Sequence, residues 1–161
     1  MINLSKTDQM YSSFLFFHSI FRWLVLSSLL FAIYRAIRGL TGNKMYSSTD
    51  HSIRHWTATI AHVQLILGFV VYMVSPVVKY YFSPKFSGGK EPFFFGVLHI
   101  ALMLISIVVI TIGSSLAKRK PSDRQKFKTQ LIWFSIGLLL ILMAIPWPFS
   151  PLAARPYYRP F

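Results

Sequence analysis

The chain has 161 residues, 54% of them hydrophobic and 17% aromatic, and its mean hydropathy is +0.51. It carries 17 lysines and arginines against four acidic residues, a formal net charge of +13, and it has no cysteine. This apolar composition excludes an ordinary water-soluble domain. The lack of thiols excludes disulfides, iron–sulfur clusters, Cys-ligated zinc and covalently attached haem.

Four apolar stretches follow one another along the chain, at residues 14–37, 56–74, 93–117 and 129–145. Each has the length that a helix needs to cross a hydrocarbon core about 30 Å thick. We predict one all-α domain over residues 1–161, an integral membrane four-helix bundle, with a tail at 146–161 rich in proline and aromatic residues. The first stretch is too long for a cleavable signal peptide, so we expect it to remain in the mature protein.

The positive charge is distributed unevenly over the connections between these helices. The first and third connections are strongly basic, and the third contains Lys118, Arg119, Lys120, Arg124, Lys126 and Lys128. The positive-inside rule therefore predicts that both connections lie in the cytoplasm and that both termini lie on the outer, periplasmic side. Such charge attracts anionic lipid. The predicted partners are membrane lipid and other membrane subunits, and nucleic acid is not among them.

Three histidines, His18, His62 and His99, lie inside three different apolar stretches. Burying such a polar group without a partner costs roughly 2 kcal/mol or more. Histidines projected from facing helices into the core of a bundle are how membrane proteins hold non-covalent b-type haem. Taken singly, each histidine could instead serve as a packing contact between helices.

The depths of the three histidines in the membrane indicate which two of them are best placed to bind one iron ion. At 1.5 Å per residue, His18 and His99 lie within roughly 3 Å of each other in depth, whereas pairing His62 with His99 needs an offset of roughly 9 Å. We therefore predict that His18 and His99 bind the haem iron. His62 is an alternative ligand, a supporting contact or a quinone contact, and Met103 could replace a histidine as ligand.

Arg22 lies four residues after His18, on the same helix face and about one turn deeper. A guanidinium there could pair with a haem propionate or a quinone carbonyl, so we predict that Arg22 binds the cofactor. The alternative is that Arg22 extends toward the membrane surface or bonds to a backbone carbonyl of a neighbouring helix.

The C-terminal tail begins with Pro146 and Pro148, which end the fourth helix. Its aromatic residues are typical of a membrane–water interface: Trp147, Phe149, Tyr157 and Tyr158. A proline-rich tail of low helix propensity becomes ordered only when something holds it. We therefore predict that a partner subunit contacts the tail.

The segments "HSIFRWLVL", "AHVQLILGFVVYMVSP", "LHIALMLISIVVITIG" and "LLLILMAIPWPF" resemble a family of small four-helix membrane proteins of Bacteroidetes-type bacteria, labelled cytochrome b-like. The similarity covers residues 14–149. His18, Arg22, His62, His99 and the Pro-Trp-Pro-Phe sequence at 146–149 match the family pattern. The resemblance implies a location in the bacterial inner membrane.

Three functions remain open at this stage. The first is an electron-transfer subunit that holds haem b between two of the three histidines and exchanges electrons with quinone or a partner cytochrome, without being a complete enzyme. The second is a non-catalytic accessory subunit of a larger respiratory, photosynthetic or secretion complex. The third, a small transporter or proton path, is the least favoured, because all four acidic residues lie outside the predicted spans.

Overall fold

The computed structural model describes residues 6–157, apart from the side chains of Thr7 and Asp8. This part of the chain contains four long helices and one short helix. The helices are α1 (Lys6–Thr41), α2 (Ser48–Val74), α3 (Pro76–Tyr81), α4 (Lys90–Arg119) and α5 (Asp123–Ala144). Residues 6–157 contain no β-strand. All helices except α3 are long and apolar enough to span a membrane, which confirms the predicted all-α fold with four spanning helices. The protein is therefore a multi-pass membrane protein.

The observed helices extend beyond the predicted apolar spans. Both α1 and α2 begin eight residues earlier than predicted. The start of α2 is set by a capping box, in which the Ser47 side chain accepts from the Asp50 backbone and the Asp50 side chain accepts from the Ser47 backbone. Hydropathy marks only the part of a helix that matches lipid, whereas polar capping groups decide where the helix begins.

The second connection contains structure that the sequence analysis did not predict. Ser75 caps α3 by accepting from the Val78 backbone, and Pro76 occupies the first helical turn, where its missing N–H costs nothing. The first turns of α4 then lead into a π-helical turn at Phe94–Leu98, immediately before His99. Single π-helical turns inside α-helices occur frequently at functional sites.

The four long helices form a bundle in which α1 packs against α2 and α5, and α4 packs against the same two helices. The α4–α5 pair is the most closely packed. A Cβ on Gly113 would lie 2.2 Å from Cβ of Trp133, so only glycine allows these two helices to approach so closely. The α2–α4 pair is the most loosely packed, and it borders the cavity described below.

The two ends of the bundle differ in character. We call the end where α1 and α4 begin and α2 and α5 finish the terminal end. The opposite end, which carries the 42–47 and 120–122 connections, is called the basic end. The core between them is built from fully buried apolar side chains such as Leu29, Ile110 and Phe134.

Candidate functional site

A cavity of about 140 Å³ lies inside the bundle near the terminal end, between α1, α2 and α4. The polar side chains in its lining are unusual for a membrane interior: His18 and Arg22 of α1, Gln64 of α2 and His99 of α4. Apolar side chains form most of the remaining wall, and the cavity is only partly enclosed. It is therefore a polar site within an apolar bundle.

His18 and His99, the predicted ligand pair, are neighbours in this cavity. Their ring centres lie 6.4 Å apart and the ring planes are inclined by 73°. Two imidazoles that share one metal ion at about 2 Å each, on opposite sides of it, have ring centres roughly 6 Å apart. The observed separation is close to this value, and it is also that of two rings packed edge to face.

His99 is held in one orientation by α5. Its Nδ1 lies 2.8 Å from the backbone oxygen of Ala144, the last residue of α5. A carbonyl oxygen only accepts, so Nδ1 carries the proton and Nε2 carries the lone pair. Histidines that ligate metals commonly donate their other ring N–H in this way. His99 is thus in the tautomer that a metal ligand requires.

His18 is packed against Gly68 and Gln64 of α2. A Cβ on Gly68 would lie 3.2 Å from Cε1 of His18, so glycine leaves the space that the imidazole uses. Nε2 of Gln64 donates to the His18 backbone oxygen at 3.0 Å and lies 3.4 Å from Nε2 of the ring. These contacts place the ring at the wall of the cavity.

Nδ1 of His18 and Oε1 of Gln64 are buried beside the cavity and have no hydrogen-bond partner among residues 6–157. A buried polar group left without a partner costs about 1–3 kcal/mol. A bound group that offers polar atoms or a metal to these positions would recover that free energy.

Arg22 also lies at the cavity, and its contacts involve the C-terminal tail. Its Nη2 donates to the backbone oxygen of Tyr157 at 2.7 Å, and Nε1 of Trp23 donates to the same oxygen at 3.3 Å. Arg22 therefore bonds to a backbone carbonyl, as the alternative interpretation expected, but that carbonyl belongs to the tail and not to a helix.

The tail is held by this chain itself. Arg155 forms an ion pair with Glu91 at the start of α4, and its guanidinium lies 5.0 Å from the ring centre of Phe95. The Trp147 ring packs against the rings of Trp23 and Tyr157. The order of the tail thus has an intramolecular cause. The prediction for Tyr158 lies outside the described residues.

His62 does not line the cavity. Its Nδ1 lies 2.7 Å from the backbone oxygen of Ala58, and its Nε2 lies 3.2 Å from Oγ1 of Thr111 on α4. The first contact lies within α2, and the second joins α2 to α4 at mid-depth in the bundle. Of the other predicted candidates, Met103 does line the cavity.

Gln64 is the residue of the site that the sequence analysis missed. It is a lone amide in an apolar helix, four residues before Gly68, and this combination is the signal that could have found it. Tyr72 was missed as well, and its hydroxyl donates to the Gly96 backbone oxygen in the π-helical turn at 2.9 Å. That bond ties the end of α2 to the turn that positions His99.

The described part of the chain contains no cluster of three or more His, Cys, Asp or Glu side chains able to hold a metal ion. The His18 and His99 pair alone has too few donors for a structural zinc ion, which takes four ligands. The other ligands of a metal ion held by this pair would have to come from outside these two side chains.

Comparisons with protein-family models, with curated proteins and with solved structures find no match to this chain.

Proposed function

We propose that the protein is a membrane electron-transfer subunit that holds a b-type haem between His18 and His99. The observation that carries this proposal is the pairing of these two imidazoles at 6.4 Å, with His99 fixed by its bond to Ala144. A subunit of this kind passes electrons to or from quinone or a partner cytochrome. It acts as a conduit and not as a complete enzyme.

The donor set fits an iron porphyrin. His18 and His99 would hold the iron of a porphyrin through their imidazole nitrogens. A porphyrin is larger than the enclosed 140 Å³, so its binding depends on the open side of the cavity. Haem supplies a one-electron redox centre when bound. Arg22 brings positive charge to the cavity lining, which favours the carboxylates of such a cofactor.

A quinone head group is the second occupant that suits this cavity. A cavity of about 150 Å³ can hold a single six-membered ring, which is close to the enclosed volume here. Nδ1 of His18 and Oε1 of Gln64 are buried at this cavity and have no hydrogen-bond partner among residues 6–157. A protonated imidazole nitrogen donates to a quinone carbonyl, and an amide oxygen accepts from a quinol hydroxyl.

The test is a reduced-minus-oxidised absorption spectrum of the full chain purified in mild detergent, with quantitation of haem and extracted quinone. We expect about one b-type haem per chain, lost in His18→Ala and in His99→Ala. His62→Ala is the matched control, because it removes the same side chain from the same bundle outside the cavity, and it should retain the haem.

The results separate the possible occupants. Loss of haem in His62→Ala with retention in His18→Ala would refute the proposed ligand pair. If the wild-type protein contains quinone and no haem, and His18→Ala loses the quinone, the cavity is a quinone site.

The alternative function is a non-catalytic accessory subunit of a larger membrane complex. The observation in its favour is an aromatic surface at the terminal end, where Phe149 stacks on Trp147 and is 74% exposed. If this surface binds a partner, Phe149→Ala should reduce co-purification of that partner without changing any haem signal. Co-purification unchanged by Phe149→Ala would count against this interface.

We further propose that the protein lies in the bacterial inner membrane with both termini on the periplasmic side. The charge of the basic end supports this orientation under the positive-inside rule. The absence of native cysteine allows a test without background. A membrane-impermeant maleimide applied to intact spheroplasts should label Lys85→Cys between α3 and α4, and should spare Lys120→Cys at the basic end. Reversed labelling would invert the orientation.

A further inference from the structure

A second cavity, of about 130 Å³, lies at the basic end where α1 finishes and α2 begins. Its lining is mostly polar, unlike that of the first cavity, and includes Tyr34, Arg35, Arg38, Lys44, Ser47 and Asp50. It is a separate site, and its role does not depend on haem or quinone.

Among the described residues that line this cavity, Asp50 is the only one with a carboxylate, and both of its oxygens already accept hydrogen bonds. Oδ1 of Asp50 accepts from Nε and Nη2 of Arg35, at 3.0 and 2.8 Å. Oδ2 accepts from the backbone nitrogen and the hydroxyl of Ser47, at 3.0 and 2.7 Å. Asp50 therefore neutralises Arg35 and has no remaining capacity for the other two cations of the lining.

Those cations, Arg38 and Lys44, have no carboxylate within ion-pair distance among the described residues. Arg38 donates only a long hydrogen bond, 3.4 Å, to the hydroxyl of Tyr34. The backbone brings Lys44 back over the end of α1, because its N–H donates to the Gly39 oxygen at 3.0 Å. The fold thus holds two cations at one polar cavity without an anion to balance them.

We propose that this cavity binds a phosphate group, and that the phosphate belongs to the head group of an anionic membrane lipid. Arginine and lysine side chains pair strongly with phosphate oxygens. Basic pockets between spanning helices at the cytoplasmic surface are typical sites for such head groups.

An exposed apolar surface leads from the cavity along α1 and favours a lipid over free phosphate. Tyr34 lines the cavity and is 52% exposed, and Phe31 and Leu30, one turn earlier on the same face, are 52% and 56% exposed. This surface lies where an acyl chain attached to the bound head group would run.

The test uses native mass spectrometry of the full chain in detergent, titrated with phosphatidylglycerol. Arg38→Gln/Lys44→Gln should weaken lipid binding about tenfold or more, because each basic residue near the surface contributes substantially to anionic lipid binding. Lys118→Gln/Arg119→Gln is the matched control. It removes the same charge from exposed positions at the same end, outside the cavity, and should change binding less than about twofold.

Two results would overturn the proposal. Equal weakening in both double variants would mean that diffuse charge, and not a site, attracts the lipid. Binding of soluble glycerol phosphate as tight as that of phosphatidylglycerol would assign the cavity to free phosphate. Arg38 and Lys44 are exposed, so their replacement should leave the fold intact, which an unchanged far-ultraviolet circular dichroism spectrum verifies.

Discussion

The Asp50 carboxylate offers the sharpest test of the packing at the basic end. It is 2% exposed, and its two oxygens accept four hydrogen bonds, from Arg35 and Ser47. In Asp50→Asn, one oxygen becomes an amide NH₂ group. Because every partner of Asp50 in these bonds is a donor, that NH₂ group must face a donor.

The magnitude follows from these contacts. Loss of a helix cap costs about 1 kcal/mol, and loss of hydrogen bonds to a charged group costs about 1.5–3 kcal/mol. The side chain of Arg35 is 36% exposed, so water offsets part of the lost ion pair. We expect Asp50→Asn to lower the free energy of unfolding by about 2–4 kcal/mol.

The assay is thermal unfolding in mild detergent followed by circular dichroism, with Asp123→Asn as the matched control. Asp123 also lies in the first turn of a spanning helix, but it is 40% exposed and its contact with Lys126 is 3.5 Å long. Exposed pairs contribute little, so the control should lose less than about 1 kcal/mol. Equal losses in the two variants would refute the argument from burial and capping.

Three further predictions concern other parts of the chain. Burial raises the pKa of Tyr46 to about 12 from its ordinary value of 10.0. The stabilisation by the protonated hydroxyl is therefore complete below pH 10 and is lost as the pH rises toward 12. Tyr46→Phe should reduce the fall in melting temperature over that pH range. Gly113→Ala should destabilise the α4–α5 pair by about 1–3 kcal/mol in the same unfolding assay, because the new Cβ meets Trp133 near its backbone. Glu91→Gln should speed chymotryptic cleavage of the tail, because it weakens the ion pair with Arg155; unchanged cleavage would show that other contacts suffice to hold the tail.

The site was predictable to different degrees for different residues. The shared depth of His18 and His99 followed from counting residues inward from the span ends, and the structure places their rings together. The role of Gln64 did not follow, because a lone amide in an apolar helix gives no sign of which neighbouring helix it faces. Arg22 is predicted to bind the cofactor, and the structure adds a hydrogen bond that joins it to the tail. That pairing spans 135 residues, and no local pattern encodes it.

The sequence by itself determined the membrane character, the four spanning helices and the concentration of positive charge at one end. These properties depend on composition and on local hydropathy, which are sums over neighbouring residues. Only the tertiary structure decided that His62 joins α2 to α4 while His18 and His99 share a cavity, and that Asp50 leaves two cations unbalanced at the basic end. Those outcomes depend on which helix faces meet, and that is set by close packing at positions such as Gly68 and Gly113, whose contacts come from other helices.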